Sequence, residues 1–203
     1  MTNSGQAIFF DLGNVLVMFD ASRALKKFSK IFEVAEKDLW DELFLSDLER
    51  AYTKGEISSK EFFLSIQKKF KKPLQFQEFA HIWNDIFWAN EKMEELVKNL
   101  SRSYKLYLIS NTNELHFEYI KKNFSVLKYF ERCFPSHEVG FRKPDAAIYR
   151  YVLEKTALKP TEVVYIDDIP EFVASAQSLG IPSVVFSSRE QLDKELGKLG
   201  IRV

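Results

Sequence analysis

The chain has 203 residues, 46% of them hydrophobic and 29% charged, which is the balance of a globular protein that can bury a sizeable core. Its 29 Lys and Arg residues are matched by 29 Asp and Glu residues, and this net charge of zero argues against general binding to nucleic acid or a membrane surface. The single cysteine, Cys133, excludes an internal disulfide.

The N-terminal segment predicts neither a signal peptide nor a membrane anchor. Residues 1–5 carry no basic region followed by a long apolar core. No apolar run in the chain approaches the length of a transmembrane helix. We therefore expect a cytoplasmic protein without nucleic-acid or membrane partners, and the sequence leaves its oligomeric state open.

A buried strand that ends in a carboxylate is predicted near the start of the chain. The apolar residues 7–10 lead directly into Asp11, and Gly13 and Asn14 follow before a second apolar run that ends at Val17. Ligands of open parallel sheets bind just beyond the carboxyl ends of the strands, so Asp11 stands where such folds carry out chemistry. One aspartate after one strand is weak evidence, and the remaining elements must decide.

Residues 18–88 predict an inserted block of four or five amphipathic helices with no strand between them. Ser58 and Glu61 form the pattern of a capping box, which predicts the start of one helix. Another apolar stripe at helical spacing runs from Phe76 to Ile86 and Phe87. These aromatic stripes predict the core of a small helical bundle rather than a cofactor site.

The rest of the chain predicts strands that alternate with helices. Apolar runs at 106–109, 163–166 and 184–186 are typical of buried strands, and helical patterns lie between them. An irregular stretch separates the helix that ends near Phe124 from the one that begins at Pro144. Alternation of this kind predicts a parallel sheet with helices on both faces. We therefore expect a Rossmann-like α/β core domain (residues 1–17 and 89–203) with an inserted all-helical cap domain (residues 18–88).

Polar residues follow three of the predicted strands. Asp11 follows the first, Ser110 and Asn111 the second, and Asp167 and Asp168 the third, while Lys143 lies in the loop 140–145 between the last two. Taken singly, Lys143 could be an ordinary loop residue, and the paired aspartates could cap the next helix. Three carboxylates at one site would raise each other's pKa unless a cation compensates, and Mg²⁺ prefers such oxygen ligands.

The order Asp, Ser, Lys, Asp pair resembles that of the haloacid dehalogenase-like (HAD) hydrolase superfamily, most of whose members are phosphatases. The resemblance covers nearly the whole chain, and the helical block falls where that superfamily places its cap. Residues 55–58, residues 83–87 and the first motif Asp11-Leu12-Gly13-Asn14 look like one subgroup. That subgroup includes sugar-1-phosphate phosphatases and the phosphatase domain of soluble epoxide hydrolase.

The resemblance implies a role for each of these residues in a Mg²⁺-dependent phosphatase that acts on a small phosphorylated metabolite. Asp11 would attack phosphorus to give an aspartyl phosphate, and Lys143 would hold the nucleophile and a phosphate oxygen. Glu138 would orient Lys143. Metal ligands would be Asp11, Asp168, the Gly13 carbonyl and, directly or through water, Asp167. Phosphate would be bound by Leu12, Gly13, Ser110, Asn111 and Lys143.

The sequence departs from the superfamily pattern at two positions. Most related phosphatases have an aspartate two residues after the nucleophile that protonates the leaving group, and here that position is Gly13. A late asparagine of the final motif is replaced by Phe172. The absence of an aspartate at position 13 favours leaving groups that are stable as anions, namely those of anomeric sugar phosphates, aryl phosphates and acyl phosphates, with a sugar 1-phosphate as the expected metabolite. If another residue supplies the proton, Asp20 and Glu171 are the first candidates.

Two alternatives to a phosphatase stay open at this point. The first is a hydrolytically weak homologue that binds a phosphate ligand or a protein partner. The second is a 2-haloacid dehalogenase. Dehalogenase chemistry needs no metal, so the pair Asp167-Asp168 counts against it.

Overall fold

In the computed structural model, which describes residues 7–203, the central sheet has five parallel strands in the order β5-β4-β1-β6-β7. Residues 1–5, on which the expectation about a signal peptide rests, lie outside the described residues. The central position of β1 brings the carboxyl ends of β4 and β6 to either side of its own. The strands of the sheet are β1 (Ala7–Phe10), β4 (Lys105–Ser110), β5 (Arg132–Pro135), β6 (Val163–Asp167) and β7 (Ser183–Val185).

Both faces of the sheet are buried under helices, as the continuous apolar strands predict. In β1, Ile8 and Phe10 pack with residues of α6, α7 and α11 on one face. Ala7 and Phe9 pack with residues of α9 and α10 on the opposite face. The sequence-based prediction of a Rossmann-like α/β core is thereby confirmed.

The helices of the core begin and end at recognisable signals. Side chains of Asn113, Asp145 and Ser188 accept hydrogen bonds from the first free N–H groups of α7, α9 and α11. Over residues 7–203, no helix is both long and apolar enough to cross a membrane. The core helices are α6 (Glu91–Leu100), α7 (Glu114–Asn123), α8 (Ser136–Val139), α9 (Ala146–Thr156), α10 (Pro170–Ser178) and α11 (Arg189–Lys198).

The inserted block is helical, as predicted, and its capping box is confirmed. Ser58 and Glu61 satisfy each other's backbone N–H groups at the start of α4. A π-helical turn over Asp41–Leu45 separates α2 from α3. The helices are α1 (Ser22–Phe32), α2 (Glu36–Trp40), α3 (Asp47–Thr53), α4 (Ser59–Phe70) and α5 (Phe76–Asn84).

An aromatic cluster forms a separate core inside the helical block. Phe28 and Phe79 stack with ring centroids 5.1 Å apart, and Phe79 stacks on Trp83 at 5.8 Å. Phe62 completes the group at 5.7 Å from Trp83. Each of these four side chains is almost completely buried. Burial of that much apolar surface lets about 70 inserted residues fold around their own core instead of depending on the sheet.

The prediction that the block contains no strand was wrong at its two ends. Val17–Phe19 form β2 and Phe87–Ala89 form β3, and the two pair antiparallel as a short ribbon. The helical stripe predicted to reach Phe87 ends at Asn84 for this reason. We call this pair of strands the ribbon; it carries both crossings between the core and the helical block.

The irregular stretch predicted before Pro144 contains an edge strand that the sequence pattern missed. β5 pairs parallel with β4 over four residues, from Tyr107–Arg132 to Ser110–Pro135. Only Phe134 and Pro135 are buried, so the apolar run is too short to mark a strand.

Candidate active site

The first strand and its turn place Asp11 at the carboxyl edge of the sheet. The backbone N–H of Asp11 donates to the carbonyl of Ile166 at 2.8 Å, which ties the turn to β6. The chain then reverses through Gly13 and Asn14, whose positive φ of 54° is tolerated better by asparagine than by most residues. Leu12 accepts two backbone hydrogen bonds at 2.9 Å from the residues that follow the turn. The Asp11 carboxylate is therefore held on a rigid support.

Lys143 reaches the same point from the loop before α9 and is almost completely buried. Its Nζ donates to Asp11 Oδ1 and to Asp167 Oδ2, both at 2.6 Å. Burial alone would lower the pKa of Lys143, but the two carboxylates outweigh it and the pKa lies above its usual value. The ammonium therefore stays charged throughout the physiological range.

Asp167 has both carboxylate oxygens engaged by the protein. Oδ2 accepts from Lys143 and from the hydroxyl of Tyr165, and Oδ1 accepts from the backbone N–H of Ile169 at 2.8 Å. The side chain is completely buried. This arrangement suits a residue that positions Lys143, and a metal could reach Asp167 only through the remaining lone pair of its buried Oδ1.

Asp168 presents a different environment from its neighbour. It is half-buried, and within residues 7–203 its carboxylate accepts one side-chain hydrogen bond, from Asn14 Nδ2 at 3.5 Å. Burial raises its pKa, and the charge of Asp167 raises it further. Asp168 is thus the member of the pair whose carboxylate is available to a ligand.

The carboxylates form a group whose chemistry fits a divalent cation. Oxygen atoms of Asp11, Asp167 and Asp168 lie within 4.8 Å of one another. Burial raises the pKa of Asp11, Asp167 adds to the rise, and Lys143 opposes it. A cation would remove the cost of holding these charges together, and oxygen-only donors of this kind suit Mg²⁺. Asp11 and Asp168 are the side chains that would hold it.

Asn111 supports Lys143 from the second strand of the site. Its Nδ2 donates to the Lys143 carbonyl and its Oδ1 accepts from the Lys143 N–H, both at 2.8 Å. The Nδ2 group has a second N–H, which can still donate to a phosphate oxygen. Ser110 is buried at the end of β4, and both Ser110 and Asn111 line the cavity that adjoins Gly13.

The aromatic ring at position 172, where the superfamily pattern has asparagine, also contacts the lysine. The Phe172 ring centroid lies 5.0 Å from Lys143 Nζ, within the range of a cation–π interaction. The sequence pattern gave no reason to expect this contact. The hydrogen bond from Tyr165 was also not predicted. Tyr165 could have been found from strand periodicity, because it lies two residues before Asp167 and therefore on the same face.

Two roles that the sequence suggested, Glu138 as the residue that orients Lys143 and Asp20 as a proton donor, do not match the geometry. The lysine is oriented by Asp167 and Asn111, whereas the exposed Glu138 side chain lies 3.9 Å from His137. Asp20 accepts a hydrogen bond from the N–H of Ser22 at the start of α1, and the Ser22 contacts hold its pKa below the usual value. Asp20 is held at the start of α1, and its lowered pKa makes it a poor proton donor.

The helical block closes over the site through contacts from α3 and α5. Arg142, next to Lys143, donates to Glu49 of α3 at 2.9 Å, and Ser136 donates to the Thr53 carbonyl at 2.6 Å. His116 of the core contacts the Trp83 carbonyl at 3.0 Å. Between these contacts lies a cavity of about 150 Å³ that reaches Gly13 and Ser110.

Comparison with known proteins places this geometry in context. A family model for haloacid dehalogenase-like hydrolases matches residues 6–180. Over 199 residues the chain is 28% identical to drimenol cyclase drtB of Aspergillus calidoustus, covering 94% of this chain and 36% of the cyclase, about a third of its length. It is 24% identical over 182 residues to D-ribitol-5-phosphate phosphatase of Bacteroides thetaiotaomicron, covering 85% of this chain and 87% of that relative.

The fold is also similar to that of a solved structure that contains a metal and an anion. This is a HAD family enzyme from Bacteroides thetaiotaomicron in complex with magnesium and inorganic phosphate. The TM-score is 0.84 at 28% sequence identity, and the match covers 92% of this chain and 98% of that chain.

Proposed function

The chain belongs to the haloacid dehalogenase-like hydrolases, and we propose that it is a Mg²⁺-dependent phosphatase of a small phosphorylated metabolite. The observation that carries the proposal is the arrangement of four charged groups at the sheet edge. Asp11 stands at the centre, and Lys143 donates to it and to Asp167 at 2.6 Å each. Asp168 adjoins Asp11 with its carboxylate available. One relative is named as a phosphatase, and one similar structure was solved in complex with magnesium and inorganic phosphate. Both support the same reaction class.

Asp11 is the proposed nucleophile. One carboxylate oxygen attacks phosphorus and the bond from phosphorus to the ester oxygen breaks, so that Asp11 becomes an aspartyl phosphate. The leaving oxygen departs as an anion and takes its proton from water. Water then attacks that phosphorus, which releases inorganic phosphate and restores the carboxylate. Lys143 holds Asp11 in place and offers its positive charge to the phosphoryl oxygens, while Ser110 and the turn at Leu12 and Gly13 position them.

The proposed Mg²⁺ would be held by Asp11, Asp168 and the Gly13 carbonyl. When bound it would neutralise phosphate charge and relieve the repulsion among the carboxylates. Asp167 is assigned here to positioning Lys143, and its role as a metal ligand stays a prediction from the sequence. The division into a core (1–17 and 89–203) and a cap (18–88) and the cytoplasmic location are likewise predictions.

Steady-state turnover with a panel of phosphate monoesters tests the proposal. Release of phosphate should require Mg²⁺, stop with chelator and disappear in Asp11→Asn, and the acid-quenched enzyme should carry one phosphoryl group on Asp11. Asp193→Asn is a matched control, because Asp193 pairs with Arg189 in α11, away from the site. Full activity in chelator, or in Asp11→Asn after deamidation has been excluded, would refute the mechanism. Halide release from 2-haloacids without phosphate release would favour a dehalogenase instead.

A further inference from the structure

The cavity beside Gly13 has walls of unequal polarity. Its polar floor is the segment from Ser110 to Asn113, which follows β4 at the phosphate-binding edge. The remaining wall, contributed mostly by the ribbon and the helical block, is largely apolar. Six of these residues carry the argument, namely Val17, Phe19, Leu43, Phe44, Trp83 and Phe87.

The polar side chains on the upper wall make hydrogen bonds within the protein. Glu49 accepts from Arg142 at 2.9 Å. His116 has both ring nitrogens in contact, Nδ1 with Asn113 at 3.1 Å and Nε2 with the Trp83 carbonyl at 3.0 Å. Burial lowers the pKa of His116 to about 3, so this ring is neutral and offers no charge to a ligand.

The wall also contains a buried hydrogen-bond donor that differs from these paired side chains. Within residues 7–203, the indole Nε1 of Trp83 is the cavity-lining side-chain nitrogen that is buried without a hydrogen-bond partner. A single donor can serve one oxygen of a ligand. A sugar or polyol carries several hydroxyls, and the apolar part of the wall would leave most of them buried without partners.

We propose that the alcohol part of the substrate is a compact hydrocarbon, an aromatic ring or a branched chain of about six carbons, and this rests on the phosphatase function proposed above. A cavity of about 150 Å³ is comparable to one that holds benzene, and the phosphoryl group at its floor takes part of that volume, so the alcohol part must be small. The apolar lining therefore selects a different alcohol from the sugar that the sequence suggested. An aryl ester also suits a site that has Gly13 in place of the usual acid, because a phenolate leaves without first receiving a proton.

The experiment compares esters that differ in hydroxyls but share a six-membered ring on a CH₂–O–phosphate group. Cyclohexylmethyl phosphate should exceed glucose 6-phosphate in kcat/KM by about 10²-fold or more, since a site rejects groups that it leaves unpaired. Acetyl phosphate, whose leaving group needs no cavity, reports whether the phosphatase reaction takes place at all. Turnover of acetyl phosphate with equal or reversed preference between the two ring esters would overturn the inference and leave the phosphatase function standing.

Two variants test whether the preference for the apolar ester arises in the cavity. Phe19→Gln, at a side chain that is 38% exposed, should lower kcat/KM for cyclohexylmethyl phosphate about tenfold more than for acetyl phosphate. Leu64→Gln, at a cap residue 47% exposed and outside the cavity lining, should change neither substrate. Equal losses on both substrates in Phe19→Gln would contradict the assignment.

Binding keeps the inference testable without turnover. If neither the two esters nor acetyl phosphate is hydrolysed, the proposed phosphatase function is refuted, independently of the inference about the cavity. Calorimetry then compares cyclohexylmethyl phosphate with glucose 6-phosphate on the same protein. Tighter binding of the former supports the apolar cavity, and equal or weaker binding overturns it.

Discussion

Substitution of the two neighbouring aspartates separates the positioning role from the metal role. Asp167→Asn keeps a carbonyl for the N–H of Ile169 but turns an NH₂ group toward Lys143 and Tyr165, both of which need an acceptor. Breaking a buried ion pair costs about 3–5 kcal/mol. Because Asp11 still neutralises Lys143, we expect the lower end, about 3 kcal/mol.

Asp168→Asn provides the matched comparison. Asp168 is half-buried and makes one long contact, so its loss should change the free energy of unfolding by less than about 1 kcal/mol. Mg²⁺ affinity should move in the opposite order, with Asp168→Asn binding the ion at least about tenfold more weakly than Asp167→Asn. In Asp167→Asn, displacement of Lys143 should lower kcat by about 10²-fold.

Denaturant unfolding in chelator measures the first quantity without a contribution from metal binding, and calorimetric titration with Mg²⁺ measures the second. The reasoning is refuted if Asp167→Asn is as stable as the parent but loses Mg²⁺, while Asp168→Asn keeps it. That outcome would make Asp167 the ligand and Asp168 the supporting residue.

Three further predictions concern the turn, a buried histidine and the contact between cap and core. Gly13→Asp should raise kcat for simple alkyl phosphates by up to about 10²-fold, but a Cβ there would lie 3.0 Å from the ring of Phe19, so the gain should be larger in the double variant with Phe19→Leu. No gain in either variant would exclude a missing acid as the limit on turnover. His116 has its pKa lowered to about 3 by burial, against about 6.5 unfolded, so the unfolded chain binds the proton first and stability should fall by about 2 kcal/mol between pH 6.5 and pH 5. His116→Gln should flatten this slope, as followed by denaturant unfolding at each pH. Arg142→Met removes the partner of Glu49. Hydrogen exchange should then become faster in α3 and stay unchanged in β1. Unchanged exchange in α3 would contradict a role for this pair in holding the helical block closed.

Much of this fold could be predicted because its signals are local. Four buried apolar residues before Asp11 define β1, and the reciprocal bonds of Ser58 and Glu61 define the start of α4 within four residues. The ribbon is the opposite case. Its strands have three residues each, too few to show alternation, and they pair across about 70 residues of intervening chain. Nothing local to 17–19 indicates the partner at 87–89.

The site shows the same division at the level of single side chains. That Asp11, Lys143 and an aspartate pair would meet followed from polar residues at strand ends and from the resemblance. Which aspartate holds the lysine could not be predicted, since both stand together in the chain. The assignment depends on the last residue of β6 facing inward beside Tyr165, and the next residue leaving the sheet.

The ribbon and the turn at Gly13 connect two properties of the site, namely its closure by the helical block and its selectivity for the alcohol part of the substrate. Alternation along β2 puts Val17 and Phe19 on one face, where they line the cavity with Phe87, and Met18 and Trp88 on the other. Any rotation of the helical block about these two strands must therefore move the apolar wall itself. The ring of Phe19 also occupies the space that a side chain at position 13 would need, at 3.0 Å from its Cβ. An aspartate at position 13 and this aromatic wall compete for one volume, so the loss of the usual acid and the gain of an apolar cavity follow from the same packing choice.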